Sequence, residues 1–213
     1  MNWNLYSILN SYGDMIKLQS KVSHKNILKD ISKFDDYWQK YNPSKPHIPR
    51  DSLAVTSYDG SLEEKYNTSL SEQYKQSNTN IEESDFKTPT DLYRYSESLQ
   101  ELLDPWEKYL ARTQFIRVPP GGYFPPHIDG GRKFVPETFR LVVPIVNNNP
   151  PDFWWMLGDD ADYKALRWDQ GSLYYVNTLK KHTLFNPSTK DSIWLIINII
   201  TTEESIQKVR SLI

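Results

Sequence analysis

The sequence predicts a mainly β fold, a barrel or sandwich of short strands entered through a helical lead-in. Three observations carry that expectation. Helical periodicity is confined to roughly the first 110 residues. After Tyr109 the chain breaks into short β-branched and aromatic runs separated by Pro, Gly and Asn turns. Aromatic residues make up 14% of the 213 residues, far more than a disordered chain carries, so a packed core is expected.

In the lead-in, Ile27, Leu28, Ile31, Phe34 and Trp38 recur at nearly helical spacing and predict an amphipathic helix over 25–41. Pro43, Pro46 and Pro49 stop it. Residues 52–58 (SLAVTSY) are β-prone and end in the turn signal Asp59-Gly60. Residues 61–88 are polar and weakly patterned and read as a long loop, a form that often serves as a lid or binding loop. Thr90 is placed to cap a helix over 91–108, with Leu92, Tyr95, Leu99, Leu102 and Leu103 on its apolar side. Strands then follow at 115–118 (FIRV), 139–146 (FRLVVPIV), 152–157 (DFWWML), 172–177 (SLYYVN), 182–185 (HTLF) and 192–200 (SIWLIINII). Alternation along DFWWML sends Trp154 and Trp155 to opposite faces. A single domain over 1–213 is expected, with 1–110 as lead-in and 111–202 as barrel core. The first part has too few apolar positions for a core of its own.

The formal net charge of −2 exerts no general pull toward nucleic acid or an anionic membrane. With no cysteine, a disulfide framework and a thiolate metal site are both excluded. The longest apolar stretch, 193–200, is interrupted by Asn198 and too short to span a bilayer. The N-terminus lacks the basic and apolar regions of a secretory signal. These features together predict a soluble, cytoplasmic protein with no nucleic-acid or membrane partner.

Four histidines are present. His24 falls on the predicted helix and His47 in a proline-rich segment, both suited to the surface. His127 and Asp129 form H-x-D after a Pro-Gly-Gly turn, in RVPPGGYFPPHIDGG. On an extended strand, residues two apart share a face, so one imidazole and one carboxylate stand side by side. His182 is the remaining histidine of the β half and the candidate third ligand. Two histidines and a carboxylate form the facial triad that holds iron(II) and leaves positions open for other ligands.

The segments RVPPGGYFPPHIDGG, ETFRLVVPIV, GSLYYVN and HTLFNPSTKDSIWLIINI resemble, in order, the core of the iron(II)/2-oxoglutarate dioxygenases. They are most similar to the branch of aspartyl/asparaginyl β-hydroxylases and free-proline hydroxylases. The resemblance spans roughly residues 110–200. It implies a double-stranded β-helix (jelly-roll, cupin-like) barrel with supporting N-terminal helices. It also implies Fe(II), 2-oxoglutarate and O2 as reactants, with His127, Asp129 and His182 as catalytic metal ligands. Gly171 matches the glycine before the distal-His strand, Asn177 a polar position ahead of that histidine, and Asn186 the Asn four residues after it.

One position departs from the pattern. Relatives carry an Arg about ten residues after the distal His to bind the far carboxylate of 2-oxoglutarate, and this chain has Ser192 there. Three residues are candidates for that role. Arg140 matches an Arg on the strand after H-x-D, Lys190 has the strand parity of Ser192, and Ser192 itself offers a hydroxyl. The resemblance implies hydroxylation of an amino-acid or peptide side chain, and so a small-molecule or peptide substrate. The departure leaves a second expectation, a catalytically silent metal-binding barrel acting as an interaction module. A zinc-dependent hydrolase or isomerase would need a positioned base, and the sequence offers none.

Overall fold

A computed structural model of the chain describes residues 3–63, 68–77, 81–129, 137–159 and 162–213. Two sheets dominate it. The barrel strands are β6 (Leu110–Val118), β7 (Tyr123–His127), β8 (Thr138–Val146), β9 (Trp154–Asp159), β10 (Asp162–Ala165), β11 (Ser172–Val176), β12 (His182–Phe185) and β13 (Ser192–Ile200). Three lead-in strands precede them: β1 (Met15–Lys21), β2 (Gln39–Lys40) and β3 (Asp51–Ala54). The larger sheet runs β1-β11-β8-β13-β6-β3-β2 and the smaller β10-β9-β12-β7. The chain passes from sheet to sheet as it goes from β6 to β13, which is the jelly-roll, double-stranded β-helix arrangement.

Burial explains the composition of the strands. β13 is an almost continuous apolar run because both of its faces are covered. Trp194 and Ile196 face the inside of the barrel, together with Val142, Trp155, Trp168, Val176 and Leu184. Leu195, Ile197 and Ile199 face the other way, against helices. Those helices are α1 (Trp3–Asn10), α2 (His24–Ile31), α4 (Asp91–Tyr95), α5 (Glu97–Leu103) and α6 (Glu203–Arg210), numbered with α3 (Leu70–Ser77). Tyr6, Leu9, Ile27, Leu99, Leu103, Ile206 and Val209 form one buried cluster with Phe139, Leu141, Val143 and Tyr175 of the sheet.

Several elements differ from the sequence reading. Met15–Lys21 is a strand at the sheet edge; Ile16 and Leu18 are its buried positions, and Met15, Ile16 and Lys17 pair with Val176, Tyr175 and Tyr174 of β11. The expected helix over 25–41 is α2 followed by a 3-10 segment, Ser32–Tyr37, in which Phe34 leaves helical geometry. The helix over 91–108 is broken at Ser96, whose hydroxyl caps α5 by accepting from the Leu99 N–H, and continues as a 3-10 segment, Asp104–Tyr109. Residues 52–58 divide into β3 and β4 (Thr56–Ser57), and β4 pairs with β5 (Thr88–Pro89). Within the expected loop 61–88, the described residues include α3 and a short 3-10 turn, Glu83–Asp85. The rest of that loop, at 64–67 and 78–80, lies outside the described residues, as do Gly130, Gly131, Asp160 and Ala161. No described helix is long and apolar enough to cross a membrane.

Candidate metal centre

β7 and β12 are neighbours in the smaller sheet, and their register sets His127 directly opposite His182. Their ring centroids are 4.1 Å apart. Asp129 lies just beyond the end of β7, where its backbone N–H donates to the Thr178 carbonyl at 3.0 Å. That bond accompanies a turn of the chain that faces the carboxylate toward the Nε2 atoms of both imidazoles. One ligand atom from each of His127, Asp129 and His182 lies within 4.8 Å of the others. His127 Nε2 is 3.3 Å from Asp129 Oδ1, and His182 Nε2 is 3.9 Å from Oδ2.

The histidines are oriented for ligation by their other nitrogens. His127 Nδ1 lies 2.9 Å from the Pro125 carbonyl and His182 Nδ1 lies 3.0 Å from the Lys180 carbonyl. A carbonyl only accepts, so each Nδ1 carries the proton and each Nε2 lone pair faces the carboxylate. Such outer hydrogen bonds fix tautomer and ring direction in metal-ligating histidines. Burial pushes the His182 imidazole down to about 4, against the pull of Asp129, so it is neutral at physiological pH. Asp129 is held well below the usual carboxylate range: burial pushes it up, but the charge of the adjacent Arg140 guanidinium outweighs that effect. Two imidazoles presenting Nε2 and an ionised carboxylate are a donor set that fits a divalent cation. His127 and Asp129 are about a quarter exposed, so the centre is open on one side, while His182 is buried beneath it.

The three candidates for a cosubstrate carboxylate lie in different places. Arg140 points into the barrel from β8, sharing its face with Val142. Its Nη1 donates to Asp129 Oδ2 and its Nε to Asn198 Oδ1 at 3.3 Å. The Arg140 fork is therefore engaged with a candidate metal ligand. Lys190 is exposed in the turn before β13, and the structure does not bring it to the centre; its carbonyl accepts from Asn186 and Ser188. Ser192 is fully buried, and its hydroxyl accepts from the Trp194 indole N–H at 2.7 Å. Trp155, Trp168 and Trp194 fill the barrel interior beside it, with ring centroids 4.9–5.2 Å apart, and Trp155 stacks on His182 at 6.3 Å.

Other positions singled out in the sequence have structural roles. Asn186 clamps its turn, donating to the Val118 and Lys190 carbonyls. Gly171 adopts φ +77, and a Cβ there would lie 2.3 Å from the Val22 carbonyl oxygen. Asn177 donates to Asp14 at 2.9 Å. His47 is exposed, and His24 is half-buried at the start of α2.

Sequence reading missed a ring of polar residues around the centre. Asn198 donates to Glu83 at 3.3 Å and to the Arg112 carbonyl at 2.9 Å. The Arg50 guanidinium lies 3.8 Å over the Phe124 ring, and that ring is 4.0 Å from His127. A faint signal was present: Arg112 and Asn198 are polar residues within otherwise buried strands, LARTQFIRV and SIWLIINII. Nothing in the sequence said that these two strands are adjacent.

No protein-family model and no curated protein matches the chain. Solved structures do. A prolyl-4-hydroxylase from Pseudomonas putida superposes with a TM-score of 0.52 at 10% identity, covering 93% of this chain and 99% of that one. A non-haem monooxygenase, ThoJ, in its nickel complex, has a TM-score of 0.48 at 10% identity over 88% of this chain and 74% of its own. A 2OG-Fe(II) oxygenase-family oxidoreductase from Burkholderia pseudomallei has a TM-score of 0.45 at 9% identity, with coverages of 72% and 69%. At such identities the likeness is one of fold.

Proposed function

We propose that the protein is a non-haem iron(II) oxygenase that uses 2-oxoglutarate and O2 to hydroxylate an amino-acid or peptide side chain. The observation that carries this reading is the convergence of His127, Asp129 and His182. Both imidazoles are locked in the ligating tautomer, in a fold shared with a prolyl hydroxylase. Iron bound there would supply the redox chemistry by which O2 is activated against a C–H bond. The chain's own residues do the rest. His127 and His182 would hold the metal through Nε2, and the Pro125 and Lys180 carbonyls keep those rings from turning. Arg140 holds Asp129 ionised and fixes its direction. Trp155 packs over His182 and keeps water from the barrel side of the centre.

The test combines metal binding and turnover. Purified protein should bind Fe(II) or Ni(II), and with iron, ascorbate and 2-oxoglutarate should form succinate. Asp129→Ala should stay folded, weaken metal binding by about 100-fold or more and abolish succinate formation, because it removes the only anionic ligand. Undiminished metal affinity in the folded variant would sink the triad. The indole filling around Ser192 favours a second reading, a metal-binding barrel without turnover that serves as an interaction module. Metal binding by wild-type protein with no succinate formed selects that second reading.

A further inference from the structure

The charges around the centre do not balance among the described residues. Three buried or half-buried guanidiniums, those of Arg50, Arg112 and Arg140, share the space with the carboxylates of Asp129 and Glu83. Arg140 takes Asp129. Glu83 accepts from Asn198, and its carboxyl is raised by burial against the pull of Arg112 and Arg140. Arg50 and Arg112 have no ion-pair partner among the described residues. Both are deeply buried, at 9% and 1% exposure. Each spends one arm on a neutral oxygen: Arg50 Nη2 donates to Asn42 Oδ1 at 2.6 Å, and Arg112 Nη2 to the Thr68 carbonyl. Each retains a buried N–H with no acceptor, Nε on Arg50 and Nη1 on Arg112. Their guanidinium carbons lie 4.7 and 5.6 Å from the centroid of the same ring, Tyr41. An unpaired buried cation is costly, and two of them against one ring are more so.

The barrel interior offers no substitute. On the barrel side of the triad, Trp155, Trp168 and Trp194 fill the interior and Ser192 is already hydrogen-bonded. Besides Arg140, which is taken by Asp129, the described guanidiniums near the triad are those of Arg50, just before β3, and Arg112, on β6. Arg50 is linked to the triad through Phe124, whose ring contacts both it and His127. The Arg112 backbone carbonyl accepts from Asn198, whose Oδ1 accepts from Arg140 Nε, and the guanidiniums of Arg112 and Arg140 both act on the Glu83 carboxyl.

We propose that Arg50 and Arg112 form a carboxylate-binding subsite beside the metal triad, taking a carboxylate of the organic acid that the centre binds. The inference rests on the oxygenase reading for the presence of that acid. A carboxylate fits because its oxygens accept from planar guanidinium forks, and the two unused N–H groups gain their missing acceptor. The acid is either the 2-oxo acid cosubstrate, through its far carboxylate, or the substrate.

The experiment separates these sources. Nickel-loaded full-length protein is titrated calorimetrically with 2-oxoglutarate, with 2-oxobutyrate, which lacks the far carboxylate, and with glutarate after saturation by 2-oxobutyrate. Arg50→Met and Arg112→Met are compared with wild type. Arg50→Lys and Arg112→Lys keep the charge where the Met variants fail a circular-dichroism check of folding. If the subsite serves the cosubstrate, 2-oxoglutarate binds more tightly than 2-oxobutyrate. The Met variants then lose about 30-fold or more for the former and nothing for the latter, with the Lys variants between. If it serves the substrate, the two 2-oxo acids bind alike, and glutarate adds to wild type but not to the Met variants. The proposal is overturned if folded variants bind all three probes like wild type, or if nickel-loaded wild type binds none of them. Failure of the oxygenase reading has a different signature: nickel itself does not bind, or binds undiminished in Asp129→Ala.

Discussion

At the scale of single residues, His182 illustrates how much a side chain's neighbours decide. Its ring is buried under Trp155, its Nδ1 is tied to the Lys180 carbonyl, and its Nε2 faces Asp129. Arg140 is equally constrained, and a prediction follows from its pairing with Asp129. Arg140→Met keeps most of the bulk but leaves a carboxylate among imidazoles without its cation. Asp129 is about a quarter exposed, so water screens part of the loss. The metal-free variant should be destabilised by about 1–3 kcal/mol in urea unfolding, below the cost of breaking a fully buried pair. Saturating nickel should return part of that loss, because the cation replaces the guanidinium as counter-charge. Equal losses with and without nickel would show that Arg140 acts only as packing.

At the scale of elements, the joints between strands hold the centre in place. Gly171 precedes β11 in a left-handed conformation, with the Val22 N–H donating to its carbonyl at 2.8 Å. Gly171→Ala should cost about 1–3 kcal/mol from the backbone conformation alone, and more from the clash with the Val22 oxygen. A denaturation midpoint unchanged from wild type would refute that account. Asp14 joins the start of β1 to the turn before β12. It accepts from Asn177 and pairs with Lys180 at 2.8 Å. Burial raises its carboxyl, but the bonds from Lys180 and Asn177 outweigh that and hold it below the ordinary value. A depressed folded value means the contribution is present at neutral pH and disappears as pH falls through the acid carboxylate range. With both partners about one-third exposed, it is worth about 0.2–1 kcal/mol. Urea unfolding of Asp14→Asn should show a smaller stability difference between neutral and acid pH than wild type, and identical pH dependence would remove Asp14 from the account.

At the scale of the whole molecule, the lead-in covers the outer face of the larger sheet. Phe139, Leu141, Val143, Leu195 and Ile197 are buried beneath helical residues such as Leu9, Ile27, Leu99 and Leu103. Strands β1, β2 and β3 extend the same sheet. We therefore expect the chain to unfold as one cooperative unit. A fragment of residues 111–213 should be insoluble or molten, because a broad apolar face would meet water. Recovery of that fragment as a monomer with wild-type near-ultraviolet circular dichroism would count against it.

The centre was legible in the sequence because its signals are local. H-x-D is a short local motif, although Asp129 lies past the end of β7 and is turned to the centre at its bond to the Thr178 carbonyl rather than by strand parity. In a chain with four histidines the distal partner of the β half stands out. The apolar barrel strands were legible for the same reason, since a strand covered on both faces must be apolar throughout, as β13 is, whereas the largely exposed β7 and β10 carry no such signal. Short-range patterning could not reveal β1, an edge strand with two inward residues, or the break at Ser96, where tertiary contacts divided one helical period into two helices. Nor could it reveal the company of Arg140. Alternation turned that side chain inward, but only the fold set Asp129 and Asn198 in its reach and filled the space around Ser192 with indole rings. Arg50 and Arg112 meet at Tyr41 from segments 62 positions apart by number. Side-chain chemistry and strand parity are properties of the chain read in order. Which charges share a buried space depends on long-range register, and the folded sheet decides it.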